Sequence, residues 1–165
     1  MLFRKAVIKD LPAIADIMHD AVTRMLREGK CQWNENYPTQ MHILDDIKND
    51  VGYVLEDGGS VIAYGAVVFD GEPAYEHLDG AWLSDGDYVV VHRVAVKQSC
   101  QSAGVGSRFM RCVEQFAASS GIGSFRIDTN FDNERMLGLI ERCGFEFCGT
   151  VQYATGERRA FEKLI

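Results

Sequence analysis

Residues 88–116 constrain the fold more than any other stretch, because they carry the signals for a strand, a glycine turn and a helix in direct succession. Residues 88–96 are a nearly continuous run of β-branched and aromatic side chains, which is typical of a strand buried on both faces of a sheet. Apolar side chains then recur at helical spacing from Val105 to Phe116. This order predicts a central strand that leads through a tight turn into a helix.

The turn, residues 101–106, has the sequence Gln-Ser-Ala-Gly-Val-Gly. Its two glycines lack a Cβ atom, so their backbone amides can approach a ligand closely. The helix N-terminus that follows adds unpaired N–H groups and the positive end of the helix dipole, and both attract anions. Residues 92–111 also carry four basic side chains and no acidic one. The sequence therefore predicts a phosphate-binding turn.

Charge is distributed unevenly along the chain, whose formal net charge is −7. Residues 49–92 contain nine acidic side chains and no lysine or arginine. Such a segment is either a solvated face or a region that attracts a cation. Nucleic acid is not expected as the main partner, because binding to a phosphate backbone requires a broad basic surface and this chain has only a basic segment.

Length and composition predict one globular domain over residues 1–165, since the chain is 47% hydrophobic and needs no second core. Charged residues interrupt the N-terminal segment before a signal-like core can form, and the longest apolar run, residues 61–69, is too short to cross a bilayer as a helix. Five cysteines without a CxxC motif or a Cys/His cluster favour reduced, buried thiols. We therefore expect a soluble, cytoplasmic protein that binds no membrane and no metal.

The rest of the chain supplies further helices and hairpins. Asp10 is placed to cap a first helix that Gly29 can end, and Thr39 is placed to cap a second helix. Hairpins are predicted around residues 57–59 and 154–157. These elements favour a fold in which helices pack on an antiparallel sheet.

The second half of the predicted core follows the glycine turn. Residues 124–129 predict a strand parallel to residues 88–96, joined to it by the helical crossover. Asp132 or Asn133 is placed to begin a short helix after that strand. Residues 70–86, which are acidic and rich in glycine, predict a long functional loop.

Two common nucleotide motifs do not fit the turn. The chain has no GxxxxGK followed by Ser or Thr, and the dinucleotide fingerprint needs a small residue where Phe109 stands. A phosphate-binding domain for another kind of nucleotide is kept as an alternative.

The turn, together with the strand end VHRVAV before it, resembles the Gln/Arg-x-x-Gly-x-Gly/Ala signature of GNAT-type N-acetyltransferases. Residues 133–145, NERMLGLIERCGF, resemble the later family element Asn-x-x-Ala-x-x-Leu-Tyr-x-x-x-Gly-Phe at Asn133, Leu139, Gly144 and Phe145. The resemblance covers most of the chain and is weakest over residues 30–86. It implies an α+β fold with a mixed, mostly antiparallel sheet of about six to seven strands, splayed at its two parallel central strands and flanked by about four helices.

The resemblance also implies acetyl-coenzyme A as the acetyl donor. In the family pattern, the amides of seven consecutive residues bind its pyrophosphate, here Gln101, Ser102, Ala103, Gly104, Val105, Gly106 and Ser107. Pantetheine lies along a strand end that corresponds to Val94, Ala95 and Val96, in the cleft where residues 124–129 splay away, and Asn133 contacts the cofactor. A backbone N–H near Val94 then faces the thioester carbonyl and stabilises the oxyanion.

Two positions depart from the family pattern: Met136 replaces the alanine, and Ile140 replaces the tyrosine that often protonates the leaving thiolate. A water molecule, Tyr153 or Cys143 could deliver that proton instead, although ordinary packing is the favoured interpretation of both side chains. Two candidates exist for the general base. His92 lies on the central strand, and histidine titrates near neutral pH, whereas Asp128 lies near the end of the partner strand.

The acceptor is the least determined part. Trp33 and Tyr37 lie in a turn-rich segment and either shape the acceptor pocket or form a lid packed on the core. The expected function is transfer of acetyl from acetyl-coenzyme A to a primary amine of a small molecule or peptide, by direct attack in a ternary complex. A catalytically weak acetyl-coenzyme A sensing module is the alternative that Ile140 suggests. The final hairpin either offers an edge strand to a homodimer or simply ends the sheet.

Overall fold

The computed structural model describes all 165 residues of the chain. They divide into two compact units, unit 1 with residues 1–67 and 92–109, and unit 2 with residues 68–91 and 110–165. Three elements contribute to both units, because each boundary between the units falls inside a regular element. These are the strands β3 (Ser60–Val68) and β5 (Tyr88–Val96) and the helix α3 (Val105–Ser119). The sequence predicts β5 and α3 around the glycine turn.

Unit 1 contains strands, two helices and the C-terminal part of β5. Its complete elements are β1 (Leu2–Lys5), α1 (Leu11–Arg27), α2 (Gln40–Lys48) and β2 (Gly52–Asp57), and it also contains all of β3 (Ser60–Val68) except Val68. β1 and β2 pair antiparallel, and β2 and β3 form the hairpin predicted around residues 57–59. The N–H of Lys97, just after β5, donates to the carbonyl of Ile62 on β3 at 2.9 Å. The apolar faces of α1 and α2 pack on this part of the sheet.

The ends of α1 differ in how well the sequence predicts them. Gly29 takes a left-handed φ of +71°, and the N–H of Lys30 bonds back to the carbonyl of Met25, so the predicted helix end is confirmed. Asp10 stands before α1 as predicted, but its side chain does not cap the helix. Its carboxylate accepts the N–H of Val7 and pairs with Arg4 instead, because a buried carboxylate is better satisfied by a guanidinium than by one amide.

Unit 2 contains the N-terminal part of β5, most of α3 and the elements around them. Its complete elements are β4 (Asp79–Gly80), β6 (Ser124–Thr129), α4 (Glu134–Arg142), β7 (Glu146–Tyr153) and β8 (Gly156–Leu164). β5 and β6 are parallel and pair from Tyr88–Ser124 to Val90–Arg126, as the crossover predicts. β6 with β8, β8 with β7 and β7 with β4 pair antiparallel.

The strands hydrogen-bond in the order β1-β2-β3-β5-β6-β8-β7-β4. The α+β class, the four helices, the mostly antiparallel sheet and its one parallel pair are thus confirmed. The sheet has eight strands, more than the predicted six to seven, because the segment read as a loop contains β4. Two residues show no alternation of apolar side chains, so β4 left no signal in the sequence. Its pairing also needs Gly80 and Gly149, since a Cβ at either position would collide with the backbone of the other strand.

The prediction of buried thiols is wrong for most cysteines. Only Cys148 is buried, whereas Cys31 is exposed and the other three are partly exposed. Cys31 and Cys100 lie outside any periodic apolar pattern, so no neighbours in sequence fix their burial. All five are free thiols. No helix of the structure has both the length and the apolar character needed to cross a membrane.

Candidate functional site

The glycine turn in unit 1 has the shape of an anion-binding loop. A short 3-10 turn, Gln98–Cys100, follows β5, and α3 begins at Val105. Between them Ser102 and Gly104 take left-handed φ angles of +69° and +73°. Left-handed residues in a turn make neighbouring N–H groups converge, and the first amides of α3 have no partner inside the helix. The turn therefore presents backbone donors to one place.

The surroundings of the turn fit a diphosphate. Residues 102–104 are exposed, and a Cβ built on Gly104 would meet no atom within 4 Å, so the loop has open space for a ligand. The side chain of Gln101 is used inside the protein, where its Nε2 donates to the carbonyl of Val96 at 3.3 Å. Since no acidic side chain occurs in residues 92–111, nothing in this segment repels an anion. The residues present thus fit the phosphate groups of coenzyme A.

The strand before the turn contains an unusual backbone conformation. Arg93 has a φ of +56°, in the left-handed region that non-glycine residues rarely occupy. Such a residue turns the adjacent peptide groups away from the regular strand ladder. His92 is half-buried, and Val94 and Ala95 are buried. The predicted oxyanion donor, the N–H near Val94, therefore lies next to the irregular point of β5.

The side chain of Arg93 is held by a buried network in unit 1. Its Nε and Nη2 donate to the two oxygens of Asp46 at 2.9 and 2.5 Å, and its Nη1 donates to the hydroxyl of Tyr37 at 2.9 Å. The hydroxyl of Tyr64 also donates to Asp46, at 2.6 Å. Burial opposes the charge of Arg93, but Asp46 and Tyr37 outweigh burial and raise its pKa. Burial, together with the charge of Asp46, raises the pKa of Tyr64 well above its usual value.

The two aromatic residues predicted for the acceptor site differ in burial. Tyr37 is half-buried, bonds to Arg93 and packs edge-on against His42, with ring centres 4.9 Å apart. Trp33 is 6% exposed and packs in the core of unit 1 with α1 and α2. Its placement corresponds to the packing alternative that the sequence left open, and its contact with an acceptor stays a prediction.

Asp128, on β6 in unit 2, is surrounded by donors. Its Oδ2 accepts the hydroxyls of Tyr75 and Tyr153 at 2.8 and 2.9 Å, and its Oδ1 accepts Nη1 of Arg158 at 3.4 Å. The side chain is 3% exposed. Three of about four lone-pair positions on the carboxylate are thus occupied. This arrangement suits holding the two tyrosines in place more than removing a proton from an amine.

Both tyrosines of this cluster stay protonated at neutral pH. Burial is the main cause that raises the pKa of Tyr75 and of Tyr153, and the charge of Asp128 raises both further. Each hydroxyl is therefore a proton donor and not a base. Sequence reasoning did not find Tyr75, because the predicted loop around it has no periodic pattern that marks a buried side chain.

Comparison with known proteins decides the family. The family described as "Acetyltransferase (GNAT) family" matches residues 18–145. This chain belongs to the GNAT acetyltransferase family. GNAT enzymes use acetyl-coenzyme A and act on amine acceptors, which are small molecules or proteins. The chain is therefore an acyltransferase, and the family resemblance is confirmed.

Individual relatives agree with the family. An IAA acetyltransferase of Azospirillum brasilense is 23% identical over 133 residues, which are 78% of either chain. The crystal structure of a GNAT acetyltransferase from Streptococcus agalactiae superposes with a TM-score of 0.90 at 27% identity, covering 99% of this chain and 95% of that one. A ribosomal-protein-alanine N-acetyltransferase from Brucella melitensis has a TM-score of 0.70 at 21% identity with full coverage of both chains, which shows a shared fold.

The later GNAT element forms α4 and its flanks. Asn133 is the N-cap of α4 and accepts the N–H of Met136 at 3.3 Å, so at least one atom of its amide is used inside the helix. Ile140, at the usual tyrosine position, is 1% exposed and packs in the core. Gly144 takes a φ of +79° after the helix end. The departure at Ile140 is therefore a structural fact of this GNAT chain: the position supplies packing and no hydroxyl.

The structure contains no group of three or more His, Cys, Asp or Glu residues arranged to hold a metal ion.

Proposed function

We propose that this chain is a single N-acetyltransferase domain, residues 1–165, that transfers acetyl from acetyl-coenzyme A to a primary amine of a small molecule or peptide. The observation that carries the proposal is the turn after β5, where Ser102 and Gly104 are left-handed and residues 102–104 are exposed at the start of α3, a combination typical of anion-binding turns. The GNAT match at residues 18–145 runs through both units, which supports one functional domain.

Bound acetyl-coenzyme A supplies an activated acetyl thioester. The backbone amides of residues 101–107 would hold its pyrophosphate, and the backbone of residues 94–96 would orient pantetheine. Asn133 would add a contact. The N–H near Val94 would face the thioester carbonyl and offer a hydrogen-bond donor to the negative charge that develops there during direct attack by the amine in a ternary complex. The left-handed conformation of Arg93, one residue earlier, supports this assignment because such a residue interrupts the regular strand geometry.

His92 is our proposed general base. An alkylamine is mostly protonated at neutral pH and must lose a proton before it attacks. His92 is half-buried on β5 beside the proposed oxyanion donor, whereas the Asp128 carboxylate already accepts three hydrogen bonds. Asp128 is the second choice for the base.

Water, Tyr153 or Cys143 would supply the proton for the leaving thiolate, since Ile140 offers none. Water is our first choice, because the hydroxyl of Tyr153 already donates to Asp128 and burial raises its pKa, which makes it a weak acid. Residues 49–92, with nine acidic side chains and no lysine or arginine, attract the cationic form of the amine. We place the protein in the cytoplasm, where its five free thiols would persist in the reduced state.

The test is a thiol-detecting assay with acetyl-coenzyme A and a panel of amino acids, peptides, polyamines and aminoglycosides. We expect thiol release that one acceptor class stimulates. His92→Ala should then lower kcat by about a hundredfold or more, the usual contribution of a general base, and Asp128→Asn should lower it less. Saturable coenzyme A binding without turnover on any acceptor would instead favour the sensing module, which Ile140 suggests. Tighter binding of ATP or NAD than of coenzyme A would contradict both.

Gly104→Ala tests the turn itself. Gly104 is left-handed, and an alanine there costs about 1–2 kcal/mol in that conformation, so the turn relaxes and coenzyme A binds about tenfold more weakly. Gly121→Ala is the matched control, because Gly121 has a φ of +78° and also has nothing within 4 Å of an added Cβ. Both variants should lose similar stability, but only Gly104→Ala should lose affinity in calorimetry. Equal affinities would refute the assignment of the turn.

A further inference from the structure

Arg93 occupies a conformation that an arginine does not favour by itself. A left-handed φ costs an L-residue about 1–2 kcal/mol, and glycine would adopt it without that cost. The side chain of Arg93 is 16% exposed and makes three hydrogen bonds within unit 1. Those bonds hold the residue in place and give its guanidinium a fixed direction.

Because the guanidinium is rigid, fixing two of its nitrogens also fixes the nitrogen that binds Tyr37. The group is planar with N–H donors in a rigid fork, and two of its nitrogens bind the two oxygens of Asp46. Asp46 is 6% exposed and is itself held by the hydroxyl of Tyr64, which is fully buried. The third nitrogen of Arg93, Nη1, is thereby fixed in the same plane, and one of its N–H groups donates to the hydroxyl of Tyr37 at 2.9 Å.

This bond decides what Tyr37 can offer to a ligand. A phenol has one donor and can accept through its oxygen, and here the oxygen accepts from Arg93. The structure shows no hydrogen bond that this hydroxyl donates, so its proton remains for a further acceptor. The ring is half-buried and packs edge-on against His42, so its position is also fixed. A fixed O–H donor beside a guanidinium suits an anionic or carbonyl oxygen.

We propose that Arg93 is a positioning residue that aims the hydroxyl of Tyr37 at a carboxylate or carbonyl oxygen of the acceptor. The acceptor class is then an amine that also carries such an oxygen, as an amino acid or a peptide amino terminus does, and not a simple polyamine. The inference rests on the proposed acetyl transfer and makes it more specific.

The first test compares an amino acid acceptor with its decarboxylated amine. Wild-type protein should prefer the carboxylated compound by about tenfold in KM, the usual size of one hydrogen bond to a charged group. Tyr37→Phe keeps the ring and removes the hydroxyl, so it should raise KM for the carboxylated compound about tenfold and abolish this preference, while the affinity for coenzyme A stays the same. An unchanged preference in Tyr37→Phe would overturn the proposal.

The second test separates positioning from stability. Arg93→Lys keeps the charge but cannot bind both oxygens of Asp46 and the hydroxyl of Tyr37 in one plane. Arg4→Lys is the matched control, because Arg4 also lies in unit 1 and binds two carboxylates, Asp10 and Glu56, each at 2.7 Å. Both variants should lower the melting temperature, but only Arg93→Lys should lose the preference for the carboxylated acceptor. Loss of preference in both would indicate a general structural effect and overturn the proposal.

Calorimetry distinguishes failure of this inference from failure of the proposed function. Absence of transfer by wild-type protein, together with tight coenzyme A binding, would refute acetyl transfer alone. The positioning inference is judged by binding of the two analogues to wild-type protein and to Tyr37→Phe in the presence of coenzyme A. Tighter binding of the carboxylated analogue to wild-type protein alone supports it, and equal binding of both analogues, or binding of neither, overturns it.

Discussion

Each unit contains a buried arginine–carboxylate cluster, and the two clusters differ in the groups that their outermost hydrogen bonds reach. In unit 2, Glu162 is fully buried and accepts hydrogen bonds from Arg126, Ser124 and Ser84 and from the N–H of Leu83. The guanidinium of Arg126 lies over the rings of Trp82 and Tyr88, at 4.2 and 4.0 Å from their centres. Every group in this cluster is satisfied by another part of unit 2.

In unit 1, the cluster of Arg93 and Asp46 ends instead at the hydroxyl of Tyr37, a half-buried residue. A buried charge whose partners are all internal fastens parts of a fold, as Glu162 fastens residues 82–84 to β6 and β8. A buried charge that orients a group with a donor still available is a candidate for function. The difference teaches that burial alone does not identify a functional charge.

The largest effect on stability is expected in the Glu162 cluster of unit 2, whose partners are all internal. Glu162→Ala leaves Arg126 buried without its carboxylate, so we expect the free energy of unfolding to fall by about 3–5 kcal/mol. Glu114→Ala, which removes the partly exposed partner of Lys163, should cost less than about 1 kcal/mol. Urea denaturation of both variants measures the two values. Similar losses would show that the Glu162 cluster is no more than a surface ion pair.

A smaller difference in stability is expected between variants of two tyrosines, Tyr75 and Tyr64, that each donate to a buried carboxylate. Tyr75→Phe leaves Asp128 with Tyr153 and a long bond to Arg158, so we expect a loss of about 1–3 kcal/mol. Tyr64→Phe leaves Asp46 bound by two nitrogens of Arg93, Nε and Nη2, and should cost about 1 kcal/mol. Thermal unfolding of the two variants gives the order, and a larger loss in Tyr64→Phe would reverse this part of the comparison.

The smallest expected effect is the dependence of stability on pH in the Glu162 cluster, which appears only in acid. Burial alone would raise the pKa of Glu162, but hydrogen bonds from Ser124, Ser84, Leu83 and Arg126 outweigh burial and lower it below the ordinary 4.5. Because the folded pKa lies below the unfolded one, the stabilisation is complete above 4.5 and is lost as the pH falls through the folded value. Urea midpoints of wild-type protein and Glu162→Gln should therefore converge in acid. A difference that is independent of pH would contradict the ionised state of Glu162.

Local patterns allowed much of the fold to be predicted. The strand of residues 88–96, the turn and the helix start at Val105 all depend on neighbours within a few residues, and the structure has them as the sequence predicts. The pairing of β5 with β6 also follows from a local rule, because a helical crossover imposes parallel strands. The strand β4 was missed because its two residues have no local pattern of their own.

The candidate site divides in the same way. The amino-acid sequence by itself determined the glycine turn, the family and the position where Ile140 replaces a tyrosine, since each is a matter of residue identity at fixed spacing. Only the tertiary structure decided that Arg93 is left-handed and bound to Asp46 and Tyr37, and that Tyr75 and Tyr153 share Asp128. These partners are 25 to 56 residues apart in the chain, so no local propensity brings them together. Packing of the core brings them into contact, and their burial then requires that they satisfy one another.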